Sequence, residues 1–267
     1  MKIVYAANHG NSHSDDTEGH IAKALRELGH EVDCVPQGAL LPEGDMLLFH
    51  KWIPPEFKGT KVCWYFDKIW KDRGSWYKEV VDKVDHIFIT DGSWARNHPN
   101  KKLHILRQGI GDSTLGIKVP NAPEIAFVGS VYADRGNWVK RLQKRYPGQF
   151  EALQGYYNMR MNDLCASVDI FVAPGFPCDE FYWSNRIYLV TGSGGFLIHP
   201  RLKGLHEYTD DEVVFYDSEE EMFEKIDHYL EHPEEREKIR LAGYNKTKTL
   251  YTYKTRCQKL LEKIQAQ

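Results

Sequence analysis

The chain has 267 residues, 42% of them apolar and 13% aromatic, with a formal net charge of −3, enough apolar content to bury one large core or two modest ones. That charge supplies no global field toward nucleic acid or anionic lipid, so a DNA-binding role requires a local basic patch. Cys34, Cys63, Cys165, Cys178 and Cys257 are dispersed without C-x-x-C spacing, which fits reduced, buried thiols better than a disulfide framework or a zinc site.

The amino-terminal apolar run is interrupted by Asn8-His9-Gly10 too early for a signal peptide, and no later run reaches membrane-spanning length. The expectation is a cytoplasmic protein with no membrane span. Residues 2–7 predict a buried strand. Beyond a polar loop, Ile21, Ala24, Leu25 and Leu28 share one helical face, with Asp15 or Asp16 as cap and Gly29 as terminator. Residues 31–35 predict a second strand and complete a βαβ opening. Ligands of open parallel sheets bind beyond the strand carboxyl ends, which makes residues 8–16 a site loop. His9 and His13 are then candidate bases of near-neutral pKa, each also readable as an ordinary loop histidine. No G-x-G-x-x-G follows the first strand, which argues against a dinucleotide fingerprint.

Apolar runs at 46–49, 62–66, 86–90 and 103–106 predict further strands, each ending in polar or glycine-containing sequence. The second leads into Asp67 and the third into Asp91-Gly92-Ser93. A carboxylate just beyond a strand end can serve as general base toward an acceptor hydroxyl; it can equally be an Asx-turn or helix N-cap. Asp67 is preferred because Trp64, Tyr65 and Trp70 offer aromatic surface of the kind that binds sugar rings. Residues 109–124 are rich in Gly, Asp, Ser, Thr, Pro and Asn and mark a domain boundary. The predicted division is 1–118, 119–250 and a last helix over 251–267.

Ile125-Ala126-Phe127-Val128 followed by Gly129-Ser130 predicts a strand entering a glycine turn, and a helix rich in Arg135, Lys140, Arg141, Lys144 and Arg145 comes next. Gly129 permits close backbone approach and Arg135 can neutralise phosphate. The other basic residues read as a solvated helix face, or as a patch tracking nucleic-acid phosphates. Strands are predicted at 150–153 and 168–173, with a helix over 159–166 between them. Residues 174–177 then break the chain ahead of Glu180, Tyr182 and Trp183, where an aromatic ring can stack on a nucleotide base or belong to the core.

Over residues 182–199 an apolar segment of about three helical turns runs into Ser193-Gly194-Gly195 and then a strand from Phe196. Asn185 and Arg186 lie near the helix start, where free N–H groups and a guanidinium favour phosphate. The competing reading is a core helix with a glycine C-cap and a solvated arginine. A strand at 212–216, a Ser218-x-x-Glu221 capping box and a helix from Pro233 follow. Tyr253, Cys257, Leu260, Leu261 and Ile264 share one face of the last helix.

Asn185-Arg186-Ile187-Tyr188, Gly194-Gly195-Phe196-Leu197-Ile198, Gly204-Leu205, Val214-Phe215-Tyr216, Glu219-Glu220-Glu221 and His232-Pro233-Glu234-Glu235-Arg236 together resemble the carboxy-terminal domain of GT-B glycosyltransferases, in the CgeB-like, group 1 branch. The resemblance covers roughly the second half of the chain; Phe127-Val128-Gly129-Ser130 and Gln108-Gly109 also fit it. It implies an α/β fold of two Rossmann-like domains facing a cleft, with the last helix returning toward the first domain. The implied activity is transfer of a hexose-type sugar from a nucleotide-diphosphate sugar to an unknown acceptor hydroxyl. Donor-side residues would be Gly129, Ser130, Arg135, Glu180, Tyr182, Trp183, Asn185, Arg186, Ser193, Gly194 and Gly195. Catalytic candidates are Asp67, His9 and Asp91.

The nucleotide sugar is a substrate in this reading, and neither cofactor nor metal is expected. The chain has no Asp-x-Asp, so arginine and N–H groups meet the leaving-group charge. Retaining relatives carry two glutamates with seven residues between them, positions that fall here on Phe181 and Leu189; Glu180 is one place away. Three competing readings follow: a catalytically silent nucleotide-sugar or carbohydrate-binding protein, a transferase acting on modified bases in DNA, and a nucleotide-sugar epimerase.

Overall fold

The structure, a computed structural model, describes residues 1–7, 17–52, 56–70, 74–111, 114–132, 134–156, 158–175 and 178–266. The chain forms two compact units, Met1–Gly111 with Thr252–Gln267, and Asp112–Tyr251.

In the first unit, β1 (Lys2–Ala7), β2 (Glu31–Pro36), β3 (Met46–Phe49), β4 (Thr60–Tyr65), β5 (His86–Ile89) and β6 (Leu103–Ile105) form a parallel sheet in the order β2-β1-β3-β4-β5-β6. The central strands are continuous apolar runs because helices cover both faces. On one face Ile3, Tyr5, Leu48 and Trp64 pack with Ile21 and Leu25 of α1 (Thr17–Glu27) and with Cys257 and Leu260 of the carboxy-terminal α9 (Tyr253–Gln265). On the other, Val4, Leu47, Cys63 and Ile87 meet Tyr77 and Val80 of α2 (Gly74–Val81). A short α3 (Gly92–Asn97) precedes β6. Gly29, at φ +85°, ends α1; Asp15 and Asp16, expected to cap it, lie outside the described residues.

In the second unit, β7 (Ile125–Val128), β8 (Phe150–Leu153), β9 (Ile170–Val172), β10 (Leu197–Pro200) and β11 (Val214–Tyr216) form a parallel sheet in the order β11-β10-β9-β7-β8. Phe127, Ile170, Val172 and Ile198 pack with Trp138 and Leu142 of α4 (Arg135–Arg145) and Met222 and Ile226 of α7 (Glu219–Glu231). The alternate residues Ala126, Val128, Phe171 and Leu197 meet Met161 and Leu164 of α5 (Asn158–Ser167) and Ile187 and Val190 of α6 (Arg186–Gly192). Each such fully buried side chain contributes about 1.5–3 kcal/mol. α8 (Pro233–Leu250) packs beside α6.

Three segments are shorter than their apolar patterns predict. β9 starts at Ile170, because the Val168 amide bonds back to the Leu164 carbonyl of α5. α6 starts at Arg186, not near 182, because Asp179 and Tyr182 exchange backbone hydrogen bonds at 3.0 Å in both directions and close a turn. β11 starts at Val214, because the Glu212 and Val213 amides bond back to Thr209. Ser218 accepts from the Glu221 amide at 3.1 Å, and Glu221 reaches the Asp217 amide at 2.6 Å, one residue before the cap. Among the described residues no helix is long and apolar enough to cross a membrane.

Each sheet reverses its winding once. β1 lies between β2 and β3, and β7 between β8 and β9. The loops beyond the strand carboxyl ends diverge at such a reversal and leave a crevice.

Candidate functional site

At the reversal in the second unit, β7 ends in Gly129, whose φ of +140° is open to glycine and strained for other residues. A Cβ there would lie 2.6 Å from Arg186 Nη2. Arg186, the first residue of α6, is only 7% exposed. Its Nε donates to the Val128 carbonyl at 2.6 Å, and its guanidinium carbon sits 4.6 Å from the centre of the Phe127 ring. Arg135, 5% exposed, approaches the same ring to 5.7 Å, stacks on Tyr132 at 4.5 Å, and donates from Nη1 to the Ser130 carbonyl at 2.8 Å.

Two guanidiniums therefore share one aromatic ring at the end of one strand. Burial lowers the pKa of both, and the neighbouring Arg135 charge adds to the effect on Arg186, which falls to about 10. Among the described residues no carboxylate pairs with Arg186. A buried cation of this kind is stabilised by an anion brought from outside. Arg135 also lines a cavity of about 360 Å³ with Trp138, Pro174, Pro200, Tyr216 and Asp217, all at the carboxyl edge of the sheet.

Gly129, Ser130, Arg135, Asn185 and Arg186 are thus brought together. Ser193, Gly194 and Gly195 are not with them, because α6 runs antiparallel to the strands and carries these residues to the amino edge. There the Gly194 carbonyl accepts from Arg240 at 2.6 Å, and a Cβ on Gly195 would meet Val190 at 2.7 Å and Cys165 at 3.0 Å. These glycines permit packing, and the expectation that their backbone faces a diphosphate is corrected. A cavity of about 480 Å³ at this edge, lined by Cys165, Ser193 and Gly194, holds Arg236 and Arg240 already paired with Asp169 and Glu237.

Glu180 is exposed and ion-paired with Lys203 at 3.1 Å. Next to it, Phe181 has φ +59° and its ring covers Gly204. Tyr182 and Trp183 are buried, and the Trp183 indole donates to Tyr188 Oη at 3.0 Å, which in turn bonds Glu207. Trp183 belongs to the core, with no face left for a nucleotide base.

Of the first-unit candidates, His9 and the rival His13 lie outside the described residues. Asp91 is corrected from base to cap: it is 1% exposed and accepts from Trp94 N at 3.0 Å, Ser93 Oγ at 2.7 Å and Ile69 N at 2.9 Å. Both of its oxygens are engaged, and it ties α3 to the loop after β4. Asp67, just past β4, is half-exposed and ion-paired with Lys51. Trp64 and Tyr65 do not surround it as sugar-binding surface. Both are buried, with the Trp64 indole donating to the Leu106 carbonyl at 3.2 Å, and only Trp70 is substantially exposed, at 40%.

Two histidines were not singled out from the sequence. His50 follows β3 at the reversal of the first sheet and links Tyr5 Oη, at 2.6 Å, to the Trp64 carbonyl, at 2.7 Å. His199 lies near the end of β10. The available signal was a single polar residue closing an apolar strand.

Fold and site define a two-unit, doubly wound α/β protein with a buried cationic site at the carboxyl edge of its second sheet. A family model described as glycosyl transferase-like matches residues 117–262. The chain belongs to that family and is a glycosyltransferase. No curated protein matches the sequence.

Solved structures resemble it over the whole length. A sucrose-phosphate synthase from Thermosynechococcus elongatus shares 11% identity with a TM-score of 0.69, covering 100% of this chain and 99% of that one. Anabaena HepE, solved with UDP-glucose, shares 9% identity with a TM-score of 0.67, covering 100% of each chain. An alpha-glucosyltransferase solved with UDP and a 13-mer DNA containing an HMU base shares 10% identity with a TM-score of 0.71, covering 99% of each chain. At these identities the likeness is one of fold, the GT-B glycosyltransferase fold.

Proposed function

We propose that this glycosyltransferase takes its sugar from a nucleotide-diphosphate donor bound at the carboxyl edge of the second sheet and transfers it to an acceptor hydroxyl without a metal ion. The observation that carries the proposal is the Arg186–Arg135 pair. Two like charges buried against Phe127 repel one another, and a diphosphate is the ligand that neutralises both. During transfer the leaving diphosphate gains charge, and a preorganised donor at that position contributes about 3–4 kcal/mol. Among the described residues Asp67 is the base candidate that remains in the first unit, at the carboxyl end of β4 and half-exposed, with His9 also kept as a candidate.

The modified-DNA reading rests on the basic residues of α4 and on the compact size of the chain. Arg141 pairs with Glu219 and Arg145 with Asp227 of α7, so much of that positive face is neutralised within the unit, which favours a small acceptor. The test is release of UDP from UDP-glucose by purified protein, with and without EDTA. We expect turnover insensitive to EDTA, reduced at least a hundredfold by R186M, and lost in D67N without loss of UDP binding. A strict requirement for divalent metal, or failure of UDP, GDP and ADP sugars alike to raise the melting temperature, would overturn the proposal. Steeply salt-dependent binding to duplex DNA would redirect the acceptor assignment.

A further inference from the structure

Near Arg186, two buried acceptor atoms have no partner among the described residues. His199 alternates with Ile198 on β10. Ile198 fills the core under α4 and α7, so His199 turns to the face that carries Leu197 and Ile187. Its ring is fully buried and stands edge-on to Phe215, with centroids 6.3 Å apart. Nδ1 lies 2.8 Å from the Pro200 carbonyl. A carbonyl only accepts, so the proton is on Nδ1 and Nε2 carries a lone pair. Among the described residues no donor reaches Nε2, and none reaches Oδ1 of Asn185, the residue before Arg186.

Burial, together with the Arg186 charge, lowers the His199 pKa to about 4, so the ring is neutral at physiological pH. A neutral lone pair repels phosphate oxygen and accepts only from O–H or N–H. Buried acceptors are rarely left without such a partner. The arginines and His199 therefore suit different parts of one ligand, an anion and an adjoining hydrogen-bond donor. The cavity of about 360 Å³ is lined by Arg135 and by Pro200, which alternates to the other face of β10, so it adjoins the carboxyl end of that strand without being lined by the His199 ring itself. That volume lies within the range of small-molecule sites and adjoins the anion position.

On the donor-site reading above, we propose that His199 Nε2 accepts a hydrogen bond from the nucleoside half of the donor, either the ribose 2′-hydroxyl or a base imide N–H, and so selects which nucleotide is bound. His199 is a specificity-determining residue in this account, and Asn185 Oδ1, next to Arg186 in the chain, a second free acceptor among the described residues.

The experiment is calorimetric titration of the full chain with UDP, 2′-deoxy-UDP and N3-methyl-UDP, for wild type, H199F, H199Q and R186M. The wild type should bind one analogue about tenfold more weakly than UDP, which identifies the partner group. H199F should bind UDP about tenfold more weakly and no longer distinguish that analogue. H199Q, which keeps an acceptor near the Nε2 position, should stay within about threefold of wild type. If wild type binds both analogues as tightly as UDP, the inference falls without recourse to any variant, and a filling water or plain packing explains the histidine. Equal weakening in H199F and H199Q, with discrimination intact, also overturns it. Loss of UDP binding in R186M with unchanged behaviour of the His199 variants retains the donor site and removes only this inference. UDP binding unaffected by R186M, or no nucleotide binding at all, removes both.

Discussion

Replacing Arg186 with Met separates what this residue does for the fold from what it does for a ligand. The guanidinium is 7% exposed and its pKa is lowered by burial to about 10. A base with a lowered folded-state pKa destabilises the native protein at every pH below that value. The fall of about two and a half pH units corresponds to roughly 3 kcal/mol. Met removes that cost and keeps most of the volume. It also removes the 2.6 Å hydrogen bond to Val128 and the contact with Phe127, worth about 1.5–3 and about 1–2 kcal/mol respectively. The terms nearly cancel, so the ligand-free melting temperature should lie within about 5 °C of wild type, at about 2–4 °C per kcal/mol. Affinity for UDP should meanwhile fall by about a hundred- to a thousandfold, the usual effect of deleting a charge-assisted donor in a water-poor site. Differential scanning calorimetry without UDP, followed by titration with it, reads both quantities. A drop of more than about 10 °C with full UDP affinity per folded molecule would make Arg186 a structural cation and refute the reasoning.

Gly129→Ala places a Cβ 2.6 Å from Arg186 Nη2 at φ +140°, so it should cost about 1–3 kcal/mol and at least tenfold in UDP affinity. Gly194→Ala meets Leu115 at 2.6 Å and should lower the melting temperature with UDP affinity unchanged; equal affinity losses in the two variants would contradict the assignment of edges. Asp91→Ala removes a helix cap and strands the buried Ile69 amide, for about 2–4 kcal/mol in chemical denaturation, with kcat per folded molecule unaltered. His104 and His199 both have pKa values lowered to about 4, chiefly by burial. Between about pH 6.5 and 4 the unfolded chain binds protons that the folded chain refuses, so stability falls as pH falls through that window. His199 should account for about 2 kcal/mol of loss at pH 5 relative to pH 7.5, and the partly buried His104 for less, because solvent screens it. Denaturation curves of H199Q that kept the full pH dependence would exclude the larger share.

Where apolar runs are bounded by chain breakers, the strands were readable to the residue. Residues 46–49, 125–128 and 150–153 coincide with β3, β7 and β8. Gly29, Ser218 and Pro233 marked helix ends because each acts through its own backbone or side chain. Properties that depend on distant partners were not readable in the same way. The basic face of α4 is neutralised by Glu219 and Asp227, which are 78 and 82 residues away in sequence from Arg141 and Arg145. Trp64 and Tyr65 look like exposed sugar-binding rings beside Asp67, but both lie on β4, a parallel strand covered on its two faces, and such a strand buries its last residues as thoroughly as its first. Asp91 could be either base or cap until its three hydrogen-bond donors were in place.

The misplacement of Ser193, Gly194 and Gly195 has a cause that applies to any doubly wound sheet. In a parallel sheet every strand-to-helix loop lies at the carboxyl edge and every helix-to-strand loop at the amino edge. A glycine turn after a helix therefore faces away from the crevice, whatever its chemistry. α6 has seven residues, about 10 Å at 1.5 Å per residue, and that rise alone separates Arg186 from the glycines that follow it. One apolar segment thus supplies two structural roles: its first residue reaches the Val128 carbonyl and the anion position, while its last residues let α8 and the core beneath approach closely. On the proposed donor site, function in the stretch is confined to the end that meets β7. For the same reason His199, at the far end of the next strand, returns the chain to the edge where Arg186 stands.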